Sequence, residues 1–412
     1  MQHYPYVILG GGVVAGYAAQ SFVAEGLPPG QLCIISAEPH LPYDRPPLSK
    51  AFLAGKLSVV DLLINPPAFY EAHAIAVRLT APVDLVDFAQ KRLYLQGESL
   101  FYDKLLLATG ASAQRLVLPG AELIGIHYLR TLEDAQQIHQ AATNAQRAIV
   151  IGGGFIGMEA TAVLQKMGVA TTLVFPGPHL NEAIFTTRMA AFFESDYRRH
   201  GVTVLAQTRV TGFVSDNGHV THVSLATGKD LPADLVVVGI GITPNTALFA
   251  NTPLQVDDGI VINRFLETSI PDVYAAGDVA CYRDLLYNRL RRVDHWDNAL
   301  RQGRLAAQIM LGQRPEYRHV PYLFSHFFDR TYELWGDAEP AERVVYRGEV
   351  ESGCFSAWWL SPAGRLVAAF VMDRPEEERV LAQQWIAEGP LLNADCLGNA
   401  AQAIAAAASE SG

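Results

Sequence analysis

Two glycine clusters hold the spacing in this chain that is richest in chemistry. The first lies in YVILGGGVVAGYAAQSFVAEG, Tyr6 to Gly26, and the second, 142 residues on, in AIVIGGGFIGMEATAVLQKMG, Ala148 to Gly168. They read Gly10-x-Gly12-x-x-Ala15, with Gly16 alongside, and Gly152-x-Gly154-x-x-Gly157. At such spacing the first glycine permits a tight turn, and the second lets backbone N–H groups approach a pyrophosphate. The third position stays small for helix–strand packing, and the helix N-terminus faces the phosphates. One copy is a weak signal. Two copies, each after a β-branched run and each opening a helical period, point to two bound dinucleotides.

Which dinucleotide each takes depends on the acid after the second strand, which accepts hydrogen bonds from a ribose 2′-hydroxyl and repels a 2′-phosphate. In the first copy Glu38 follows CIISA, 28 residues after Gly10. In the second, TTLVF at 171–175 runs into Pro176-Gly177-Pro178-His179, with no acid until Glu182. The lack of a carboxylate at Gly177 predicts weak discrimination against NADPH. His179 either meets a 2′-phosphate or is an ordinary exposed loop histidine.

The elements that must position these residues follow from the pattern around them. Each cluster reads as strand, turn, helix, strand, with QLCIIS at 31–36 and TTLVF as the second strands, a right-handed βαβ unit twice over. Further strands, DKLLLA at 103–108 and DLVVV at 234–238, end at Thr109-Gly110 and at Gly239-Ile240-Gly241. A helix is expected over 131–143, strands in GIVIN (259–263) and DVYAAGD (272–278), and a helix over 297–311. Beyond Pro321 come FSAWWL (355–360), RLVAAFVM (365–372), a helix over 376–387 and a tail, AIAAAASESG, expected to fray. The fold class is therefore α/β: two Rossmann-like dinucleotide-binding domains plus a smaller α+β C-terminal domain.

Composition excludes several other functions. The chain has 412 residues, 50% of them hydrophobic and 18% charged, enough for about two to four cored domains and unlike a disordered chain. A net charge of −11 argues against nucleic acid as a partner. No apolar run approaches a membrane span, and MQHYPYVILGGG lacks a signal-peptide pattern, so a soluble, cytoplasmic protein with no membrane partner is expected. The four cysteines, Cys33, Cys281, Cys354 and Cys396, are too scattered for a disulfide framework or a zinc site, and no metal site is expected.

Several longer stretches carry a resemblance: YVILGGGVVAGYAA, PYDRPPLSK at 42–50, ATG at 108–110, GGGFIGMEA at 152–160, PDVYAAGDVA at 271–280 and RRVDHWDNALRQGRLAA at 291–307. The chain resembles the FAD- and NAD(P)H-dependent pyridine nucleotide-disulfide oxidoreductases. Within them it is most similar to the branch of ferredoxin reductases, monodehydroascorbate reductases and apoptosis-inducing-factor-like flavoproteins. The resemblance implies an FAD-binding domain from 1–114 and 244–317, an NAD(P)-binding domain at 115–243 and an interface domain at 318–412.

It also implies roles. Arg45 lies near the FAD phosphates, and Lys50 stands beside the flavin ring, paired with Glu159, as the two catalytic positions. Val83 meets the adenine through its backbone, and Asp278, after Gly277, binds the ribityl chain. Trp296, with His295, packs near the isoalloxazine edge. Thr109 and Gly110 complete the FAD group with Gly10, Gly12, Ala15, Gly16 and Glu38. Gly152, Gly154, Phe155, Ile156, Gly157, Gly177, Gly239 and Gly241 form the NAD(P)H group.

Disulfide reductases of this fold carry redox cysteines where this chain reads YDRPPLSK, and no cysteine occurs between Cys33 and Cys281. Electrons must therefore pass from flavin to an external acceptor. LPYDRPPLSKAFL and LVFPGPHLNEAIFTTRMAAFFE are nearest to monodehydroascorbate reductases. Against that substrate, the family's FPEP acid is Gly177 here, its ascorbate-binding arginine aligns with Leu300 (Arg301 is adjacent), and its PFFYS tyrosine aligns with Phe324. HWDNA at 295–299 is similar to bacterial ferredoxin reductases. Arg283, Arg289, Arg291, Arg292, Arg301 and Arg304 form either a docking face for an acidic iron–sulfur protein or a solvated face of mixed charge. The leading reading is an NAD(P)H-dependent FAD reductase for a one-electron acceptor of ferredoxin type. The alternatives are a radical (monodehydroascorbate) or quinone reductase, and a redox-responsive interaction protein like apoptosis-inducing factor. Either a monomer or a homodimer is compatible.

Overall fold

The computed structural model describes residues 2–408. Contacts group the chain into two compact units. The first takes the chain to Arg45, then Ser58–Ser112 and Thr243–Pro321; the second takes Pro46–Leu57, Ala113–Ile242 and the chain from Tyr322 onward.

In the first unit Gln2–Leu9, whose apolar end Val7-Ile8-Leu9 is buried, forms a central strand. It pairs in parallel with Leu32–Ile35 (Val7 opposite Cys33) and with Glu98–Leu107 (Val7 opposite Leu105). Ala76–Arg78 extends this sheet beside Leu32–Ile35, and Val273–Ala275 joins Glu98–Leu107. Leu105, Leu106 and Leu107 are all fully buried, the continuous apolar reading of a parallel strand covered on both faces. The helices Val13–Ala24 and Trp296–Met310 pack against each other so closely that a Cβ on Gly303 would lie 2.7 Å from the Val14 carbonyl oxygen. The expected helix over 297–311 thus starts and ends one residue earlier.

The second unit repeats the plan. A five-stranded parallel sheet runs in the order Thr203–Leu205, Ala170–Val174, Arg147–Ile151, Leu235–Val238, Ile126–Tyr128. The helix Leu132–Asn144 starts at a Thr131 and Asp134 capping box, close to the expected span. A second, antiparallel sheet of five strands runs from Tyr322–Phe327 to Leu366–Met372, followed by the helix Glu376–Glu388.

The contacts thus give two units where the sequence reading has three segments, and packing supplies the reason. Phe193, on the helix Thr187–Arg199, stacks on Phe185 at 4.3 Å and meets Phe327 at 5.1 Å and Phe370 at 6.2 Å, so one aromatic seam joins the parallel sheet's helix to the C-terminal sheet. Pro46–Leu57 belongs to the second unit, although it falls inside the 1–114 segment. Lys50 pairs with Glu159, and His139 Nδ1 bonds the Leu53 carbonyl at 2.9 Å. The tail also departs from expectation. Ile404–Ala407 forms a 3-10 turn with Ile404 and Ala407 buried, and Ala408 bridges to Leu392, so the chain does not fray there. The end of that expected tail, 409–412, lies outside the described residues.

Candidate functional sites

Both fingerprints fold as a turn between a strand end and an uncapped helix. Gly10 has φ +129° and Gly152 φ +120°, and a Cβ on either would lie about 2 Å from a carbonyl oxygen: Ala108 at 2.0 Å, Gly239 at 2.1 Å. Gly157 leaves even less room, with the Gly152 carbonyl 1.9 Å from where its Cβ would be. Gly12 and Gly154 differ. A Cβ on Gly12 would meet only Arg45 Nη2 at 3.8 Å, and one on Gly154 would meet nothing within 4 Å. These are the two N-cap residues. Neither helix has a side-chain cap or an acid in its first turn, whereas Leu132–Asn144 has both. The first-turn N–H groups are therefore left without a side-chain acceptor and fit an external anion.

Around the first cradle, Arg45 Nη2 pairs with Glu38 Oε1 at 2.6 Å and the Tyr43 hydroxyl donates to Glu38 Oε2 at 2.6 Å. Burial alone would lower the Arg45 pKa, but the Tyr43 hydroxyl and the Glu38 carboxylate hold it above the ordinary value. Glu38 is thus tied to Arg45 as well as standing at the strand end. Thr109 and Gly110 form a turn closed by Asn245, whose Nδ2 donates to the Thr109 carbonyl at 2.8 Å and whose N donates to the Gly110 carbonyl at 2.9 Å. Ala15 is fully buried, and a Cβ on Gly16 would strike Ile64. Val83 packs, partly buried, at the edge of the core. Gly277, in a left-handed conformation, donates its N–H to Gln302 Oε1 at 2.7 Å, and Asp278 follows in the same 3-10 turn.

Trp296 Nε1 donates to Asp44 Oδ1 at 2.6 Å, and the Trp296 ring meets Tyr17 edge-on at 6.1 Å. Burial raises the Asp44 pKa against the hydrogen bonds from Trp296 and Tyr17, and raises that of Tyr17 to about 12. His295 Nδ1 and Gln302 Nε2 are buried without partners, and burial pushes the His295 pKa down. Orphaned polar atoms beside an open glycine cradle fit a large polar ligand such as FAD.

In the second unit Lys50 Nζ lies 2.7 Å from Glu159 Oε2, with side chains 17% and 4% exposed. The 3-10 turn Pro46–Ser49 brings Lys50 there and accepts from its Nζ through the Pro46 carbonyl at 3.3 Å. Glu159 sits on the buried face of Phe155–Lys166, where it also accepts from the hydroxyls of Ser49 and, at 2.6 Å, Ser325. The two serines went unnoticed in sequence. The Phe324 ring lies 5.8 Å from Lys50 Nζ. Phe155 and Ile156 open the same helix, with Ile156 exposed. Gly239 donates to the Ile151 carbonyl at 2.8 Å, and the Gly241 carbonyl accepts from Gln114 at 2.9 Å. Gly177 begins the loop after Ala170–Val174.

The arginine cluster is largely paired. Arg291 faces Asp284 at 3.5 Å, Arg292 faces Asp258 at 3.2 Å and Asp294 at 3.6 Å, and Arg301 bonds Asp297 at 2.9 Å. A face of mixed charge describes it better than a basic patch. Among the described residues no group of acids, histidines and cysteines is arranged to hold a metal ion, and no helix is long and apolar enough to cross a membrane.

Two glycine cradles, each on a parallel sheet and each opening an uncapped helix, define a dinucleotide-binding oxidoreductase. Residues 4–303 match the Pyridine nucleotide-disulphide oxidoreductase family, and 322–408 match the Reductase C-terminal family. The chain belongs to the pyridine nucleotide-disulphide oxidoreductases: it is an FAD-dependent NAD(P)H oxidoreductase that passes electrons to an acceptor. It is 36% identical over 407 residues to a monodehydroascorbate reductase of Solanum lycopersicum, covering 92% of this chain and 93% of the relative. It is 39% identical over 394 residues to the peroxisomal monodehydroascorbate reductase 4 of Arabidopsis thaliana (90% and 80%). Among solved structures, the covalent putidaredoxin reductase–putidaredoxin complex superposes with a TM-score of 0.94 at 33% identity, covering 99% of each chain. A ferredoxin reductase for the CYP199A2 system of Rhodopseudomonas palustris superposes at 0.93 with 29% identity (98% and 100%).

Proposed function

We propose that the acceptor is a one-electron iron–sulfur carrier of the ferredoxin type. The observation that carries this reading is the state of the thiols. Cys33 and Cys281 are buried, with pKa values pushed by burial to about 12 and about 11, and the turn before Glu159 holds Ser49 and Lys50 in place of cysteines. Neither Cys33 nor Cys281 is poised as a thiolate relay, which supports electrons leaving directly to an external partner. The full-length likeness to putidaredoxin reductase, crystallised with putidaredoxin, supports the choice of partner. Monodehydroascorbate is the second reading, favoured by the 36–39% identity to reductases of that name.

FAD, when bound, accepts a hydride from a nicotinamide nucleotide and releases its electrons singly or in pairs. Gly10 and Gly12 with the start of Val13–Ala24 hold the FAD phosphates, with Arg45, Thr109, Gly110, Asp278, His295 and Trp296 lining the rest. Gly152, Gly154 and the start of Phe155–Lys166 hold NAD(P)H. Lys50, fixed by Glu159 and the Pro46 carbonyl, is a partly buried cation that tunes the flavin, and Ser49 and Ser325 are positioning residues for Glu159. The assignment keeps the division into 1–114 with 244–317, 115–243 and 318–412, a cytoplasmic location, and a monomer or homodimer.

The test is stopped-flow. FAD-loaded protein reduced by NADH is mixed with a ferredoxin, with enzymatically generated monodehydroascorbate, or with a quinone. Reoxidation at least about tenfold faster by the ferredoxin supports the proposal. Faster reoxidation by monodehydroascorbate installs the second reading, and a dimer forming only on reduction, with negligible turnover to all three, would identify a redox-responsive interaction protein.

A further inference from the structure

Read along the chain, the loop after Ala170–Val174 lacks the acid that distinguishes NADH from NADPH. In space it has one. A Cβ on Gly177 would lie 2.7 Å from Glu182 Oε2, 2.9 Å from its Cδ and 3.2 Å from Oε1. The carboxylate oxygens of an aspartate sit two bonds, about 2.4 Å, from their own Cβ. Glu182 therefore places its charge close to where an acid at position 177 would place its own. Gly177 lies outside the left-handed region, so its backbone does not itself require glycine. A side chain there would have to displace the Glu182 carboxylate, the tip of an exposed side chain.

The loop is built to return to the cradle. Asn181 donates its N–H to the carbonyl of Gly153, the middle fingerprint glycine, at 2.9 Å, in a left-handed conformation (φ +44°). Ile184 and Phe185 donate to the Asn181 carbonyl, each at 2.9 Å, and buried Phe185 anchors the loop's far side on Phe193. Gln207 donates to the Gly177 carbonyl at 2.9 Å, fixing the near side. Two features of this loop lack partners. Asn181 Nδ2 is a buried donor without an acceptor, and the exposed Glu182 carboxylate receives no hydrogen bond from the described residues. A donor and an acceptor, both unmet and both beside the glycine turn, fit a nucleotide's phosphate or ribose oxygens and its ribose hydroxyls.

We propose that Glu182 is the specificity-determining acid of the nicotinamide nucleotide site, accepting from the adenosine ribose hydroxyls and excluding a 2′-phosphate, so that the protein selects NADH over NADPH. The inference rests on reading residues 152–157 as that site's phosphate cradle. A 2′-phosphate brings about −1.5 to −2 charge against the Glu182 carboxylate, so discrimination comes from repulsion as well as from a lost hydrogen bond.

Isothermal titration of the FAD-loaded protein with NAD+ and with NADP+ gives the readout, independent of turnover. The wild type binds NAD+ at least about tenfold more tightly than NADP+, and Glu182→Gln narrows that ratio to under about threefold, chiefly by gaining NADP+. Glu182→Lys favours NADP+. Adding Gly177→Glu to Glu182→Ala, which clears the space the Glu182 carboxylate fills, restores selectivity by returning the acid from the neighbouring position. A wild-type preference for NADP+, or a ratio that Glu182→Gln leaves unchanged, overturns the inference while the cradle stands. Failure of both nucleotides to bind, with no bleaching of the flavin, overturns the cradle and this inference together.

Discussion

Lys50→Ala isolates the buried pair at the centre of the second unit. It removes the cation 2.7 Å from a Glu159 carboxylate that is only 4% exposed. Removing one partner of a buried pair generally costs about 3–5 kcal/mol, because the other charge is left uncompensated. Ser49 and Ser325 still donate to the carboxylate, and Lys50 is itself 17% exposed, which brings the loss to about 2–3 kcal/mol. For a unit of this size that is a drop in Tm of about 4–12 °C. The double variant Lys50→Met with Glu159→Gln removes both charges and recovers most of the stability. Differential scanning calorimetry of the FAD-loaded wild type, single and double variants reads this directly. FAD should remain bound to Lys50→Ala, while its reduction by NADH slows. A Tm deficit that is absent in Lys50→Ala, or that the double variant does not reduce, would refute the reasoning.

The glycines give a second prediction with opposite outcomes one turn apart. Gly154→Ala, with nothing within 4 Å, leaves the fold and the bound FAD intact but weakens NADH binding by about 1.4 kcal/mol or more, a tenfold rise in Kd by titration. Gly157→Ala, whose Cβ would lie 1.9 Å from the Gly152 carbonyl oxygen, yields little folded protein in a circular dichroism and solubility comparison. A third concerns Asp297. Burial alone would raise its pKa, but hydrogen bonds from His319 at 2.5 Å and Arg301 at 2.9 Å hold it below the ordinary range. Its stabilising contribution is present above the unfolded value near pH 4 and is lost as pH falls through the lower folded value. His319→Gln should remove about 1–3 kcal/mol at neutral pH and flatten that acid limb in a pH series of melting temperatures.

What was legible in the sequence was local. The two fingerprints stand in it because a tight turn needs Gly10 and Gly152 at fixed offsets from a β-branched run, and DKLLLA shows a doubly covered strand by its unbroken apolar character. The Lys50–Glu159 pair came only through resemblance. Ser325 reaches Glu159 from a separate sheet, 166 residues along the chain, and no periodicity records that convergence. Of the two readings left open for the arginine cluster, the mixed-charge face rests on Asp258 and Asp284 pairing with Arg292 and Arg291, contacts that sequence proximity does not fix. Glu182 stood in plain view, but its approach to Gly177 depends on the Asn181 bond to Gly153, a loop closure that strand and helix patterns do not encode. The tail is ordered through Ala408 because Ile404 and Ala407 find an apolar surface to cover, which alanine-rich composition alone conceals.

The most direct test of the whole account is an anaerobic titration of the purified, FAD-loaded protein with NADH, followed by its visible spectrum. The account predicts a yellow protein holding FAD stoichiometrically, whose flavin colour is lost on adding NADH and returns with an electron acceptor. A protein that stays colourless after reconstitution with FAD, or whose colour survives both NADH and NADPH, would contradict it.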